Sequence, residues 1–411
     1  MCRLLHPLTL LGLAFAAPFA LSAEEPASRI GPRVGLDVSV DAAAGVRGGA
    51  ARGESVHGLA LGYVDGSVTS KSSGLGLAYF GSVLALEGRG PTGRYLGDFL
   101  AASNSEGFES VRLYSWWAEM TAETWSLRAG ALLADEEFLG TEAGGALINS
   151  AFGWPAFVSG NTVNTGPAFF AAAPGARLAW APTPALSWQT GIYDGDSFDS
   201  AEGDASVNRD GLHLKLGGRQ GCFLITQLAL APENQPWRGY AGAWWHTGDF
   251  SDVLRDDQGE PFAESGRDPR VHDGTGGLFL AIERTWGGEP GSPGTVDTHV
   301  RFGTSPENRS TVAWAADVAL AWRGPLPSRA DDVLAVGLTE ARFSDDLVRA
   351  TRLQAPDDSP LDFERVLEVS YTWKVNDRYS IQPDLQWAHH PGGSAALRDS
   401  LTVLVRFGAC F

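Results

Sequence analysis

The residues best equipped for chemistry in this chain are five arginines, Arg112, Arg128, Arg177, Arg301 and Arg406, each flanked on both sides by apolar or small residues. Arginine keeps its charge at any accessible pH, and its planar fork can grip a carboxylate or other paired acceptors. Bond-breaking chemistry has little support. His57, His213, His246, His272, His299, His389 and His390 are scattered, and no Gly-x-Ser-x-Gly elbow surrounds any serine. No His-x-x-x-His pair or paired cysteines suggest zinc, and the lone acidic pair Asp256-Asp257 reads as solvated surface. An enzyme, a metal centre and a cofactor are therefore not expected.

Something must hold those arginines on one side, and period-two alternation does so along the whole chain, with almost no helical period. In 399–411, Leu401, Val403, Val405, Phe407, Ala409 and Phe411 share one face, while Thr402, Arg406 and Cys410 share the other. In 311–323, Val312, Trp314, Ala316, Val318, Leu320 and Trp322 alternate with a set that includes Asp317. Ile381, Leu385 and Trp387 likewise oppose Gln382, Asp384 and Gln386. Apolar faces with aromatic ends fit a transmembrane antiparallel β-barrel, in which lipid meets one face and water the other. A secreted β-sandwich would also alternate and is the competing architecture.

Residues 1–23 carry one arginine, an apolar run and a small-residue end at Ser22-Ala23, which reads as a signal peptide followed by a single domain over 24–411. Net charge is −18, which excludes a nucleic-acid partner. Cys222 and Cys410 read as unpaired wall residues. Seventeen alternating segments resolve to sixteen strands if 211–217 and 222–230 form one kinked strand. The long links 195–210, 248–274 and 345–363 then lie outside and the short ones inside, as barrel parity requires. The link 135–173 becomes the third outer loop, long enough to fold back into the pore.

Several motifs, in order, resemble the carbohydrate-selective porin family (OprB type) of Gram-negative outer membranes: WSLRAGALLADEEF (125–138), NSAFGWP (149–155), AAAPGARLAWAPTPALS (171–187) and GAWWHTGDF (242–250), then DDQG (256–259), LPSRADDVLAVGLTEARFSD (326–345), IQPDLQWAHHPGG (381–393) and the terminal Phe411. The resemblance implies a sixteen-stranded barrel that passes glucose-like mono- or oligosaccharides passively. It also implies contact with outer-membrane lipid and lipopolysaccharide, and a homotrimer. A general or anion-preferring porin is the nearest alternative.

Sugars need planar hydrogen-bonding groups for adjacent hydroxyls and aromatic surfaces for ring faces. The expected constriction uses Arg112, Arg128 and Arg177 on strands beside the long loop, Tyr114 and Trp116 on the face of Arg112, and Asn149, Trp154, Asn161 and Asn164 in the loop. Asp135, Glu136, Glu137 and Glu142 are the carboxylates that could instead pair with those arginines and tether the loop.

Overall fold

In the computed structural model the described residues are 32–70, 74–200, 203–215, 220–355 and 360–411, so the expected signal peptide, 1–23, lies outside them. The alternating segments form sixteen strands: β1 Arg33–Gly49, β2 Gly53–Thr69, β3 Gly76–Gly88, β4 Ser110–Thr121, β5 Trp125–Leu132, β6 Ala173–Thr183, β7 Leu186–Asp194, β8 Cys222–Leu230, β9 Trp237–Asp256, β10 Pro269–Trp286, β11 Val296–Thr304, β12 Val312–Arg323, β13 Val333–Phe343, β14 Phe363–Lys374, β15 Tyr379–His389 and β16 Arg398–Cys410. Each pairs antiparallel with its sequence neighbours, and β1 pairs with β16 to close the barrel. At the seam the terminal Phe411 exchanges backbone hydrogen bonds with Leu36, at 2.9 and 3.2 Å. Closure leaves no free edge, which is what a sheet in hydrocarbon requires, and it excludes the sandwich.

The two faces separate as the alternation demands. Val403 and Phe407 are exposed, as are Val318, Leu320, Trp322, Leu385 and Trp387, whereas Arg406, Asp317, Gln382, Asp384 and Gln386 are buried inward. Val312 is the exception: a register shift between Val312 and Trp314 turns it inward. Cys222 is a free thiol, as expected.

The kinked strand over 211–217 and 222–230 is also corrected. Only 222–230 belongs to the wall, and the described residues 211–215 are irregular. The cause is a bulge in β4, where Trp116 to Leu113 spans one more residue than Gly81 to Val83 opposite. The bulge lets the Leu113 N–H donate to the Asp210 carbonyl at 2.9 Å. Gly211, with φ +69°, packs so closely on Leu113 that a Cβ would strike its carbonyl oxygen. Strands β9 and β10 run further than 237–247 and 275–286. Their polar ends still pair, Asp249 with Asp273 and Ser251 with Val271.

Opposite the bulged strand, Gly130 of β5 has φ +155°, and a Cβ there would collide with the Trp116 carbonyl oxygen. Gly130→Ala is expected to destabilise the barrel by about 1–3 kcal/mol through backbone strain, read as a lower urea midpoint in detergent.

Candidate functional site

All five arginines lie on the inward face and all are buried. Arg128 of β5 and Arg177 of β6 are cross-strand partners. Like charges in that register need carboxylates between them. Glu119 of β4 accepts from Arg128 Nη2 at 2.7 Å and from Arg177 Nη2 at 2.9 Å. Glu137 of the β5–β6 connection accepts from Arg128 Nη1 at 2.8 Å and also from Arg177 Nε. Ser126 Oγ takes the remaining Arg177 fork at 2.6 Å. The result is an alternating cluster of two cations and two anions with no net charge. One anion, Glu137, belongs to the connection, so the cluster fastens its root to the wall.

The other arginines also hold connections. Arg301 reaches Asp317 at 2.9 Å and donates to the carbonyls of Leu139, Ala151 and Phe152 at 2.6, 3.1 and 2.8 Å. Arg112 donates to the Phe170 carbonyl at 3.0 Å and to that of Asn208. Arg406 grips Asp41 in a fork at 2.7 and 2.8 Å, and both touch Ser103 and Ser105 of the 89–109 connection.

The β5–β6 connection continues across the inner faces of β8 to β15. Leu139 N–H donates to Gln227 at 3.1 Å, and the Tyr240 hydroxyl to the Leu139 carbonyl at 2.7 Å. Glu142 accepts from Arg323 at 3.3 Å and stands 3.9 Å from Arg238, while its N–H donates to Glu283 at 2.9 Å. Glu368 of β14 captures the N–H groups of Ile148 and Asn149 at 2.5 and 3.0 Å. Asn149 caps the turn Ser150–Gly153 by accepting from Ala151 N–H at 3.1 Å, and its amide reaches Gln386. Asn161 makes a two-way bond with the backbone of Val312, at 2.8 and 2.9 Å. Trp154 donates to the Thr165 carbonyl and meets Phe223 edge-on. Asn164 donates to Asp196 at 2.6 Å, which joins this connection to the next one.

Of the expected aromatic pair, Tyr114 faces inward and packs on Phe169. Trp116 does not share the face of Arg112. The β4 bulge falls between them, so Trp117 takes the inward position, with Arg128 3.9 Å from its ring centroid. Among the four loop carboxylates, Glu137 and Glu142 pair with arginines. Asp135 instead accepts the Phe169 N–H at 2.9 Å, and Glu136 lies beside it.

Burial pushes the Asp135 carboxyl up to about 7 and Glu136 up to about 8, the latter helped by the neighbouring Asp135 charge. Free carboxyls titrate near 4, so the docked connection holds protons that an undocked one releases between about pH 4 and pH 8. Docking is thus unpenalised at low pH and weakens as pH rises through that window. Single-channel conductance is expected to grow noisier or larger from pH 5 to pH 9, and Glu136→Gln to flatten that dependence.

A second pinned connection, 89–109, went unread in the sequence. Glu364 of β14 accepts the N–H groups of Phe99 and Leu100 at 2.7 and 2.9 Å, four residues along the same face from Glu368. Its only sequence signal is length: some twenty residues between two strands is too long for a turn.

A closed barrel, apolar outside and lined inside by paired charges and pinned connections, defines a channel of the porin class. The chain matches the model of the carbohydrate-selective porin, OprB family, over residues 74–411, and it belongs to that family. The family and the closed barrel place it in the Gram-negative outer membrane. It is 21% identical over 239 residues to Porin B of Pseudomonas aeruginosa, an alignment spanning 54% of this chain and about half (51%) of that relative's length. The high-pH structure of Pseudomonas putida OprB superposes with a TM-score of 0.80 at 17% identity, covering 93% of this chain and 94% of that one. Salmonella typhi OmpF, solved with daunomycin, is similar at a TM-score of 0.55 and 10% identity, covering 92% and 97%. These two likenesses are of fold alone.

Proposed function

We propose that the chain gives passive, carbohydrate-selective diffusion of glucose-like sugars, with the 135–173 segment as the constriction. The observation that carries this is the charge arrangement of the inner wall. Arg128 and Arg177 are matched by Glu119 and Glu137, Arg301 by Asp317, and Arg406 by Asp41. A ring of one sign would select ions of the other. Matched pairs give neither ion an advantage and still offer dense donors and acceptors to a neutral polyol. The pairing of four of the five inward arginines argues against an anion-preferring pore, which needs uncompensated cations; Arg112, held by two backbone carbonyls, is the exception. In this reading Arg112, Arg128 and Arg177 are first the posts that set the shape of the constriction, and solute meets the surfaces they hold in place.

The outward apolar face suits outer-membrane lipid and lipopolysaccharide, and a homotrimer is the assembly to be tested by cross-linking in native membranes. The function is tested by planar-bilayer conductance with glucose and maltose titrations. Concentration-dependent reduction of ion current is the expected result. Current indifferent to both sugars, with clear anion selectivity, would replace this reading by the anion-preferring one.

A further inference from the structure

A hollow of about 540 Å³ lies in the outward, lipid-facing side of the wall across β7 to β11. Its floor is one row of the sheet: Thr190 pairs with Thr226, Thr226 with Ala243, Ala243 with Leu278, and Leu278 with Thr304. These positions share the face of Ile192, Leu228, Trp245 and Phe302, all of which are exposed. The hollow exists because side chain is missing there. Ala243 is small, and Gly276, opposite Trp245 in the next row, has no side chain. The Trp245 indole lies sideways over β10, where a Cβ on Gly276 would strike its ring. Leu278 stands up beside the floor, 64% exposed. The β10–β11 ladder ends at Leu278 and Thr304, so Gly277 and Pro306 line the hollow beyond that point without pairing.

Two features say what fills it. A threonine facing hydrocarbon pays for its hydroxyl unless that group is bonded. All three floor threonines bond theirs to the backbone of a neighbouring strand. Thr190 Oγ1 donates to the Ile225 carbonyl at 3.2 Å, Thr226 Oγ1 to that of Gln189 at 3.3 Å, and Thr304 Oγ1 to that of Ala313 at 2.9 Å. Each then offers a ligand its methyl group, and the floor is apolar. The second feature is depth in the membrane. Thr304 is the last residue of β11 and Leu224, on the same outward face, the third of β8, at the barrel end from which the long connections leave. Trp245, and Trp314 opposite Thr304, put aromatic rings where headgroups begin. The hollow is thus continuous with the lipid-facing wall and sits in its outer half. Left empty, it would forfeit dispersion contacts along its whole lining, and the molecule at hand to restore them is an acyl chain. In the outer leaflet of this membrane that chain belongs to lipopolysaccharide.

We propose that the hollow between Thr226, Ala243, Trp245 and Leu278 seats one acyl chain of an outer-leaflet lipopolysaccharide. This rests on the lipopolysaccharide contact proposed above, fixes it to one point of the wall, and is independent of which solute the pore passes. For the test, the full channel is stripped of lipid in detergent and titrated with lipopolysaccharide, and the molecules retained per chain are counted by native mass spectrometry. Ala243→Val and Ala243→Leu fill the floor in steps and keep the face apolar. Ala60→Leu makes the same addition on the outward face of β2, on the other side of the barrel. Heat-modifiable gel migration checks that each variant is folded. The expected result is one tightly retained lipopolysaccharide on the parent and on Ala60→Leu. Retention should fall about fivefold in Ala243→Leu, the scale of several lost carbon–carbon contacts, and less in Ala243→Val. Equal retention by the parent and Ala243→Leu overturns the site while leaving lipopolysaccharide contact elsewhere on the wall. A parent that retains none overturns both, and neither result touches the sugar reading. Phosphatidylethanolamine that binds as tightly overturns the choice of lipopolysaccharide. If Ala243→Leu breaks an oligomer without changing lipid retention, a second copy of the chain fills the hollow and the proposal fails.

Discussion

Arg301→Ala is expected to release the middle of the β5–β6 connection and to destabilise the barrel by about 3–5 kcal/mol. Arg301 is fully buried and serves four acceptors: Asp317 and the carbonyls of Leu139, Ala151 and Phe152. Truncation strands the Ala151 and Phe152 carbonyls, leaves that of Leu139 with the Tyr240 hydroxyl, and leaves Asp317 with His299, at 2.6 Å. A lysine would not restore them, since one ammonium cannot span that fork. The measurement is twofold. Single-channel conductance should rise as the segment loosens, and proteolysis should begin to cut within 139–152. Arg301→Ala combined with Asp317→Asn should recover part of the stability but not the original conductance. The charge would then be balanced while the Ala151 and Phe152 carbonyls stay unserved. Unchanged conductance in Arg301→Ala would show that other contacts suffice to hold the segment.

Arg406→Ala should cost a similar amount, about 3–5 kcal/mol, and strike the barrel where it closes. Asp41 and Arg406 sit directly opposite each other on the first and last strands. Both are buried, and their fork bridges the seam. Ser103 and Ser105 donate to the same Asp41 oxygen at 2.6 and 2.7 Å, and His57 stands 3.5 Å from it. Removing the arginine leaves an uncompensated carboxylate and takes away its own bonds to Ser103 and Ser105 of the 89–109 connection. The folded gel band should be lost at a clearly lower temperature than in the parent. Asp41→Asn with Arg406→Gln should retain more stability, because both charges leave and hydrogen-bonding groups remain. Equal heat resistance of Arg406→Ala and the parent would contradict the role of this pair at the seam.

Much of the wall was legible because a barrel strand displays its environment residue by residue. The alternation of 399–411 and 378–389 fell on the right faces, and parity arguments from connection length arrived at sixteen strands. Errors arose where geometry adds or removes one residue from that rhythm. The β4 bulge inverted Trp116 and Trp117, and the shift before Trp314 turned Val312 inward. Neither has a local signal strong enough to read, since a bulge depends on what the neighbouring strand and connection offer the freed backbone groups. The 211–215 stretch alternates like a strand, yet it packs on that bulge through Asp210 and Gly211.

The site divides in the same way. By itself the sequence determined the inward placement of Arg112, Arg128, Arg177, Arg301 and Arg406, because period two leaves a side chain only two directions. It also determined that a connection as long as 135–173 joins β5 to β6. Only the tertiary structure decided what those arginines hold. Glu119, Asp317 and Asp41 meet Arg128, Arg301 and Arg406 through strand register, the last of these across the closing seam, whereas Glu137 and the loop carbonyls arrive from the connections. Glu364 and Glu368, two carboxylates on one face of β14, become adjacent clamps for two different connections. The physical reason is range: alternation is fixed by the geometry of one strand, whereas the seam pair and the contacts made by a connection depend on closure of the whole barrel.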